Sequence, residues 1–326
     1  MSGGRKRYSK SDGINMKYLY IIGNGFDIFS GLKTRYVDFR FWLEHNYPFI
    51  YENLSDAYEM DGDWWNDFEQ QLGELNVRRF VSKFNPCRNA KGSIVEQVEN
   101  RRRMEEENGI PHLFYYNYPC ARRLAGLLDV LQYCFEKWVQ DIMKKIEQPQ
   151  YTHIEKENSY FITFNYTDTL KCLYDIPDKR VLHIHGCASR HDRLVFGHNR
   201  FPHADIVDGD DAGKVCDVLN KYHKNPYEYI LNHKELPGLL TDVDFVRIYG
   251  LSFSPVDEDY ITWILSNTPE TGQWEISWYS DTDKRRISDY ILRHSSLISR
   301  YKLVQLQRIE DMDDKSTTIH LIYDTQ

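Results

Sequence analysis

Polar side chains follow short apolar runs at several places in this chain, where a parallel sheet would bring them together. Asn165 and Asp168 follow the run YFITF at 160–164, and His185 follows the run RVLHI at 180–184. Histidine exchanges a proton near neutral pH, and carboxyl groups act as acids, bases or partners of positive charge. Because ligands bind beyond the carboxyl ends of parallel strands, these residues predict a reactive site at that edge of the sheet.

A glycine-rich turn near the start of the chain extends this pattern. Residues 18–22 (YLYII) have the composition of a strand buried on both faces, and Gly23, Gly25 and Gly31 follow them. A helix that begins near Phe26 would direct its N–H groups and its dipole at this turn, which favours an anion such as a pyrophosphate. The spacing differs from the G-x-G-x-x-G of dehydrogenases, so we predict no hydride transfer, and a tight turn without a ligand is the alternative.

Each candidate in the second half of the chain also has a structural alternative. Asn165 stands at a strand-to-helix turn, where asparagine often caps the helix that follows. Asp168 could pair with His185, or it could be a charge in the first turn of a helix. His183 lies within its strand, on the same face as His185, and is expected to pack in the core.

Other strand ends add further candidates. Gly250 and Ser252 follow the run FVRIY, although Ser252 could instead cap a helix that starts at Asp257. Trp65 and Glu69 lie four residues apart on a predicted helix, so they share one face and could close the pocket. The remaining candidate contacts are Asn24, Phe26, Asp27, Tyr166, Gly186, His198 and Asn199.

Short β-rich runs alternate with helical patterns in the second half of the chain. This alternation predicts an α/β fold with a mostly parallel, Rossmann-like sheet and helices on both faces. The predicted strands are 18–22, 160–164, 180–184, 194–196, 245–249, 274–279, 302–306 and 318–323. The helices predicted between them are 167–174, 227–235, 257–267 and 283–294, and the acidic residues 205–213 are expected to form a mobile loop.

A large helical insertion is predicted between the first strand and the rest of the sheet, at about 36–149. Its predicted helices are 36–47, 64–80, 93–107 and 119–146. In the last of these, apolar residues recur every three or four positions, which is typical of a helix packed in a core. We expect a single α/β domain over 16–326 and a disordered tail over 1–15, for which a nucleic-acid-binding arm is the alternative.

The composition argues against several classes of function. The 326 residues are 41% hydrophobic and carry a formal net charge of −8, which disfavours a protein that coats nucleic acid. No apolar run approaches the roughly 18 residues of a membrane span, and the basic start of the chain lacks the apolar segment of a secretory signal. The six cysteines have no C-x-x-C spacing, so we expect free thiols in the cytoplasm and no metal.

The ordered set of motifs resembles the AbiH-type bacteriophage abortive-infection family. The residues that carry the resemblance are GNGFD at 23–27 with Gly31 and Leu32, residues 34–39, WNDFE at 65–69, FNYTDTL at 164–170, HIHG at 183–186, GHN at 197–199 and GLS at 250–252 with Asp257. The resemblance extends from about residue 18 over the rest of the chain. It implies an anti-phage effector in a bacterium, with a phage-derived molecule as its trigger.

The same landmarks resemble a divergent sirtuin core. Sirtuins open with G-A-G-I-S-x-x-x-G-I-P, and residues 23–33 share its glycine spacing, with a lysine in place of the proline. Asn165 resembles the asparagine of the sirtuin T-Q-N-I-D motif, although Asp168 stands one residue later than its aspartate. His185 with Gly186 resembles the catalytic histidine and its glycine. Because the four zinc-binding cysteines of the deacetylases have no counterpart, the resemblance implies cleavage of NAD rather than deacetylation.

The sirtuin resemblance implies an NAD hydrolase that breaks the nicotinamide–ribose bond through an oxocarbenium-like state. The glycine turn would hold the pyrophosphate of NAD, and Asn165 would orient the ribose hydroxyls or the attacking water. His185 would act as the base, and Asp27 or Asp168 would stabilise the developing positive charge. The biological result would be depletion of NAD in a phage-infected bacterium.

Two other functions stay open from the sequence. The same pocket could hold a nucleotide and gate a partner or a homo-oligomer without any chemistry. Alternatively, Asp27, His185 and His198 could surround a divalent metal in a nuclease or phosphohydrolase, although the acidic net charge counts against it. The sequence leaves the trigger and the oligomeric state open.

Overall fold

The protein is described from a computed structural model that covers residues 17–60, 63–84, 118–146, 154–201, 210–234, 236–310 and 317–323, of which 210, 306–310 and 317–323 are described by their backbone alone. Among these residues, seven strands form one sheet: β1 (Tyr18–Ile22), β2 (Ser159–Thr163), β3 (Val181–His183), β4 (Phe245–Tyr249), β5 (Gln273–Trp278), β6 (Tyr301–Glu310) and β7 (Thr317–Tyr323). Their order across the sheet is β3-β2-β1-β4-β5-β6-β7. The first six strands in this order are parallel, and β7 is antiparallel to β6.

The helices of the first half are α1 (Asn24–Phe29), α2 (Tyr36–Asn46), α3 (Pro48–Tyr58), α4 (Phe68–Leu72), α5 (Val77–Phe84) and α6 (Pro119–Met143). Those of the second half are α7 (Thr169–Tyr174), α8 (Asp210–Asn220), α9 (Pro226–Asn232), α10 (Leu236–Leu240), α11 (Glu258–Asn267) and α12 (Asp281–Arg293). The predicted mixed α/β class with a mostly parallel sheet is therefore confirmed.

Strand β1 is buried on both faces, as its apolar composition predicted. Leu19 and Ile21 lie in a hydrophobic core shared with α9, α10, α11 and α12. Tyr20 and Ile22 lie in a second core, shared with α1 and α7. This alternation follows from the two-residue period of a strand, and it places helices on both faces of the sheet. In the register with its two neighbours, β1 ends level with β2 and β4, so the three following loops meet at one edge.

Helices α2 to α6 lie between β1 and β2 and form a third core together with α8. Helix α8 begins within the segment that the sequence predicted as an acidic loop, so that prediction is wrong from residue 210 onward. Asp211 shows what the acidic residues do there, because its carboxylate accepts the N–H groups of Cys120 and Ala121, each over 3.2 Å, at the start of α6. Three predicted segments lie outside the described residues: 205–209 of the acidic loop, the helix 93–107 and the tail 1–15.

The predicted helix 64–80 is also wrong, because the chain forms a 3-10 turn at Trp64–Asp67 and then the separate helices α4 and α5. The break occurs at Gly73, which packs against the imidazole of His198; a Cβ at this position would lie 2.7 Å from the ring. Helix α5 then starts afresh, with Asn76 Oδ1 accepting the N–H of Arg79 over 3.0 Å. A long-range contact therefore divides a segment whose local pattern is continuous.

Residues 194–196 form no strand, in contrast to the prediction. Leu194 and Phe196 pack into the core of the helical insertion. Two residues further on, His198 forms an isolated parallel bridge with His223. The apolar run is buried as predicted, but against helices, which its composition alone could not indicate.

Candidate functional site

The strand order creates a topological switch point between β1 and β4. From β1 the chain continues to β2 and β3 on one side, and from β4 it continues to β5 and β6 on the other. Six parallel strands in the order 3-2-1-4-5-6 are typical of Rossmann folds, in which dinucleotides bind across the crevice at this point. The loops that follow β1, β2 and β4 carry most of the predicted site residues.

The glycine turn after β1 packs directly onto the turn after β4. The N–H of Gly25 donates to the carbonyl oxygen of Gly250 over 2.7 Å, and the N–H of Phe26 donates to that of Gly23 over 2.9 Å. Gly250 has a φ of +70°, and a Cβ on it would lie 2.0 Å from the nitrogen of Phe26. Glycine is therefore required here because the two turns approach closely. The N–H groups of Gly25 and Phe26, which we expected to face an anion, are both paired with carbonyl oxygens. Gly31 lies just beyond the end of α1.

A cavity of about 110 Å³ lies beyond the ends of β1 and β2, with one wall from the sheet and one from the helical insertion. The structure brings the predicted residues Asn24, Asp27, Asn165, Tyr166 and His185 to this cavity. Its complete lining is Asn24, Asp27, Thr34, Tyr36, Glu69, Phe135, Trp138, Val139, Ile142, Phe164, Asn165, Tyr166, Thr167, His185, Lys224, Leu251 and Asp257.

Asn165 connects the loop after β2 to the glycine turn. Its Nδ2 donates to the carbonyl oxygen of Gly23 over 3.1 Å, and its own N–H donates to Thr163 Oγ1 over 3.1 Å. Helix α7 starts four residues later with Asp168 at its N-cap position, so the alternative that Asn165 caps this helix is wrong. The side chain is therefore fixed at the edge of the cavity by the turn beside it.

Asp27, on the first helical turn after β1, is a fully buried carboxyl group at the cavity. Its Oδ2 accepts the hydroxyl of Thr167 over 2.5 Å. Burial raises the pKa of Asp27 to about 6, and the hydrogen bond from Thr167 only partly opposes this effect. Such a group can exchange a proton near neutral pH, as acid–base catalysis requires.

His185 is buried against aromatic rings at the cavity wall. Its ring centroid lies 5.4 Å from that of Phe164 and 5.7 Å from that of Tyr260. Burial, followed by the nearby ammonium of Lys224, lowers the pKa of His185 well below its usual value. The imidazole is therefore neutral at physiological pH, and the lone pair of its Nε2 can accept a hydrogen bond.

Asp168 does not lie beside His185, whereas His183 is buried at the end of β3, within its strand as predicted. Asp168 Oδ1 accepts the thiol of Cys187 over 3.0 Å and lies 4.0 Å from His183 Nε2, so Asp168 does not pair with His185. Strand β3 ends at His183, and the chain then turns at Gly186, which has a φ of +83°. The strand alternation therefore stops before His185, and the two histidines face different surroundings.

A buried ion pair at the cavity was missing from the predicted site. Lys224 Nζ donates to Glu69 Oε1 over 2.7 Å, with 1% and 13% of the respective side chains exposed. Beside it, burial raises the pKa of Asp257 to about 6; Lys224 lowers this pKa and Glu69 raises it further. Asp257, which we expected only to start a helix after a possible cap at Ser252, lines the cavity; it stands at the N-cap position of α11 and makes no side-chain cap hydrogen bond.

The position of Lys224 depends on the motif GHN at 197–199. The N–H of Lys224 donates to the carbonyl oxygen of His198 over 2.7 Å, next to the bridge between His198 and His223. The buried imidazole of His198 contacts the carbonyl oxygen of Leu219 over 3.1 Å, and Asn199 Nδ2 donates to that of Pro255 over 2.8 Å. Neither residue lines the cavity, so the metal set of Asp27, His185 and His198 is not brought together.

The two residues predicted to close the pocket from the insertion have separate positions. Glu69 lines the cavity, whereas Trp65 packs in the insertion core with its ring stacked on that of Phe68 at 5.3 Å. Tyr36 lines the cavity from α2 and lies within the family motif at 34–39, although it was not among the predicted site residues. The insertion therefore supplies one wall of the cavity, through the predicted Glu69 and through side chains that sequence spacing did not identify.

A second hollow of about 250 Å³, which we call the outer groove, lies on the β4 side of the glycine turn. It shares Asn24 and Leu251 with the cavity, so the two spaces adjoin at the switch point. Its other lining residues are Gly25, Ile28, Phe29, Arg35, Gly250, Ser252, Ser277, Trp278, Tyr279 and Asp283.

Several buried polar atoms of the cavity residues have no hydrogen-bond partner in the described part of the chain. They are Asp27 Oδ1, Thr34 Oγ1, Asn165 Oδ1, His185 Nε2 and Asp257 Oδ1. Each unpaired buried group costs about 1–3 kcal/mol of stability, so a folded protein seldom keeps several together without a use for them. The arrangement is typical of a site in which a bound molecule supplies the partners.

The fold and the cavity together define an α/β protein with a Rossmann-type strand order and a buried, polar ligand site beyond the sheet. The family described as bacteriophage abortive infection AbiH matches residues 19–278, which extend from β1 to β5 and include every residue of the cavity. The chain belongs to this family, as its motifs predicted, and the family indicates a role in abortive infection. A comparison with curated proteins gives no match. In the described residues, no helix has both the length and the apolar character that crossing a membrane requires.

Proposed function

We propose that this AbiH-family protein hydrolyses NAD at the nicotinamide–ribose bond and that this activity serves abortive infection. The observation that supports the proposal most is the set of unpaired buried polar atoms at the cavity, which includes Asn165 Oδ1 and His185 Nε2. These two residues resemble the sirtuin asparagine and catalytic histidine, and they share one cavity. The proposal therefore includes a divergent sirtuin-like core.

The charges and rings of the cavity suit the positive end of NAD. The carboxyl groups of Asp27, Glu69 and Asp257 outnumber the single ammonium of Lys224 among the lining residues. Aromatic side chains complete the walls, and both features attract a cationic pyridinium ring. The same excess of carboxyl groups would repel a phosphate, which disfavours a nuclease or phosphohydrolase centred on this cavity.

The outer groove suits the other half of a dinucleotide. It adjoins the cavity at Asn24 and Leu251, and it lies on the other side of the switch point between β1 and β4. Dinucleotides lie across this point in folds with the same strand order. We therefore place the nicotinamide riboside in the cavity and the adenosine in the outer groove, with the bond to be broken beside Asn165 and His185.

In the proposed reaction, water attacks C1′ of the nicotinamide ribose while the C1′–N bond breaks, giving nicotinamide, ADP-ribose and a proton. Positive charge develops on the ribose in the transition state, as in glycoside hydrolysis. We assign the stabilisation of this charge to Asp27, since Asp27 lines the cavity and Asp168 does not. Asn165 orients the water or a ribose hydroxyl, and the neutral imidazole of His185 accepts the proton.

Release of nicotinamide from NAD tests the proposal. The full-length protein is purified from uninfected and from phage-infected cells, incubated with NAD, and the products are separated by chromatography. Asn165→Ala and His185→Ala should each lower the rate at least about 100-fold. Asn232→Ala and His45→Ala, at exposed positions outside the cavity, are the matched controls and should keep the full rate. A folded wild type that releases no nicotinamide from either source contradicts the proposal.

The alternative is a nucleotide-binding module without turnover, and the unpaired polar atoms of the cavity support it as well. Asn165 Oδ1 and His185 Nε2 need only a bound molecule as their hydrogen-bond partner, whether or not a bond in it is broken. Under this alternative, NAD is bound and recovered intact. Asn165→Ala and His185→Ala would then weaken binding measured by calorimetry, with no product formed by any variant.

A further inference from the structure

A second polar cluster adjoins the main chain of Asn165 and is separate from the cavity. Asp168 stands at the start of α7, His183 is the last residue of β3, and Cys187 follows in the next loop. All three are buried, with at most 9% of each residue exposed. None of them lines the cavity or the outer groove. The proposed reaction therefore leaves three chemically active side chains without a role.

The three side chains converge on one point. Cys187 Sγ lies 3.0 Å from Asp168 Oδ1, and His183 Nε2 lies 4.0 Å from the same oxygen. One ligand atom from each residue lies within 4.8 Å of the other two. In a tetrahedral zinc site with bonds of about 2.0–2.3 Å, ligand atoms are roughly 3.3–3.7 Å apart. The observed separations of 3.0 Å and 4.0 Å lie below and above that range, so small shifts of the side chains suffice to bind an ion.

The imidazole of His183 has the orientation of a metal ligand. Its Nδ1 lies 3.3 Å from the carbonyl oxygen of Asn165, and it carries the proton in that hydrogen bond. Nε2 then carries the lone pair, and it lies 4.0 Å from Asp168 Oδ1. Histidine ligands of metals almost always donate their other ring N–H to a carbonyl or carboxylate oxygen. This hydrogen bond points to a metal independently of the distances within the cluster.

Within the described residues, the carboxylate of Asp168 is given one side-chain hydrogen bond, from a thiol, and the ammonium of Lys171, which interacts with it electrostatically, is paired with Asp178 over 2.9 Å. The thiol of Cys187 is a weak donor, and the 4.0 Å to His183 is too long for a hydrogen bond. A buried charge ordinarily requires a cation or several strong donors. A divalent ion would satisfy all three groups at once, because a thiolate and a carboxylate carry two negative charges.

We propose that Asp168, His183 and Cys187 bind a divalent transition metal, for which zinc best matches the sulfur, nitrogen and oxygen donors. Binding forms the metal–sulfur bond and releases the thiol proton to solvent. The fourth position is left to water or to the hydroxyl of Ser189, which lies 3.3 Å from the sulfur. The ion joins the start of α7 to the end of β3 and holds the main chain of Asn165. The cysteine spacing predicted no metal, but that criterion cannot detect a site with a single cysteine.

Cobalt binding tests the site without any reference to NAD cleavage. Chelator-treated, full-length protein is titrated with Co²⁺, which gives an intense near-ultraviolet charge-transfer band when a thiolate is bound. We expect one equivalent per chain, displaced by Zn²⁺. Cys187→Ser should remove the band and weaken Co²⁺ binding at least about 100-fold. Loss of a residue that only hydrogen-bonds to a metal ligand already costs about 10–100-fold in affinity, and loss of the ligand itself should cost no less. Cys172→Ser, at an exposed free cysteine, should change neither.

Two further measurements cover the case in which Cys187→Ser does not fold. His183→Gln should also weaken Co²⁺ binding, and its circular dichroism spectrum shows whether the fold is kept. X-ray absorption of the zinc-loaded wild type should show one sulfur ligand, with nitrogen or oxygen ligands in the other positions. A wild type that binds no Co²⁺ stoichiometrically, a zinc spectrum without sulfur, or an unchanged band in a folded Cys187→Ser variant overturns the inference. None of these outcomes depends on whether NAD is cleaved.

Discussion

Replacement of Lys224 by methionine should lower the free energy of unfolding by about 3–5 kcal/mol. The ammonium is 1% exposed and lies 2.7 Å from Glu69, so its removal leaves a buried carboxylate without a counter-charge. The electrostatic effect of both groups on the pKa of Asp257 shows that a second carboxyl group is close by. In Lys224→Met these two carboxyl groups share a site that lacks its cation, and one of them must take up a proton or move.

The partner variant and the double variant separate this effect from simple loss of packing. Glu69→Gln should cost less than Lys224→Met, because Asp257 remains as a counter-charge for the ammonium. The double variant should be more stable than the sum of the single losses predicts, by at least about 2 kcal/mol, since the two charges of the ion pair are removed together. Lys171→Met is the surface control: its partner Asp178 lies 2.9 Å away and both side chains are about half exposed, so the loss should stay below about 1 kcal/mol.

Urea unfolding followed by tryptophan fluorescence measures these free energies. The loss in Lys224→Met should also be larger at pH 8 than at pH 5, because the two remaining carboxyl groups repel each other only when both are ionised. A loss no larger than that of Lys171→Met, with no dependence on pH, would refute the interpretation that this pair is buried and coupled to Asp257.

Two further perturbations test Asp27 and the turn beside it. Burial raises the pKa of Asp27 from 3.8 to about 6, so the folded protein holds a proton that the unfolded chain has lost, and stability falls as pH rises from 4 to 7. From pH 4 to pH 7, the free energy of unfolding of Asp27→Asn should therefore rise relative to that of the wild type by up to about 3 kcal/mol, as measured by urea unfolding. A difference between the two proteins that does not depend on pH would contradict the raised pKa of Asp27. Gly250→Ala should cost at least about 2 kcal/mol in thermal unfolding, because its Cβ would lie 2.0 Å from the nitrogen of Phe26. Gly126→Ala is the control, because a Cβ at this position in α6 has nothing within 4 Å; it should stabilise the protein by about 0.5–1 kcal/mol. Equal effects of the two substitutions would refute the packing role of Gly250.

Local sequence patterns were sufficient to predict most of the sheet. Strands β1 and β4 are apolar runs bounded by glycine, and the structure gives both the bounds that the runs predicted. Because parallel strands end at one edge, the residues after each strand could be grouped without knowing the strand order. For this reason Asn165 and His185, which lie in different loops, could be assigned to the same region of the fold.

The partners of individual side chains could not be predicted in the same way. The face occupied by His185 depends on where β3 ends, and that point is set by the chain reversal at Gly186 rather than by strand alternation. Lys224 occurs in a segment of ordinary surface composition, LNKYHKN, and only the tertiary contact with Glu69 shows that it is buried. Contacts of this kind form between distant segments and leave no local pattern.

The helical insertion shows the same limit at the level of whole elements. The apolar spacing of α6 predicted a long core helix, because one face of it is buried along its length. The interruption at Gly73 depends instead on the ring of His198, which lies more than a hundred residues later in the chain. Helix α8 was missed because its acidic start has the composition of a loop, although Asp211 is used there to cap α6.

The position of β1 at the centre of the sheet has a consequence for synthesis in the cell. Both neighbours of this first strand, β2 and β4, are translated long after it, and the last residue that lines the cavity is Asp257. Nascent chains therefore leave the ribosome with the glycine turn exposed and the pocket unfinished until roughly four-fifths of the 326 residues have been made. In a bacterium that makes this protein, a nascent chain therefore contains every residue of the pocket lining only after residue 257 has been added.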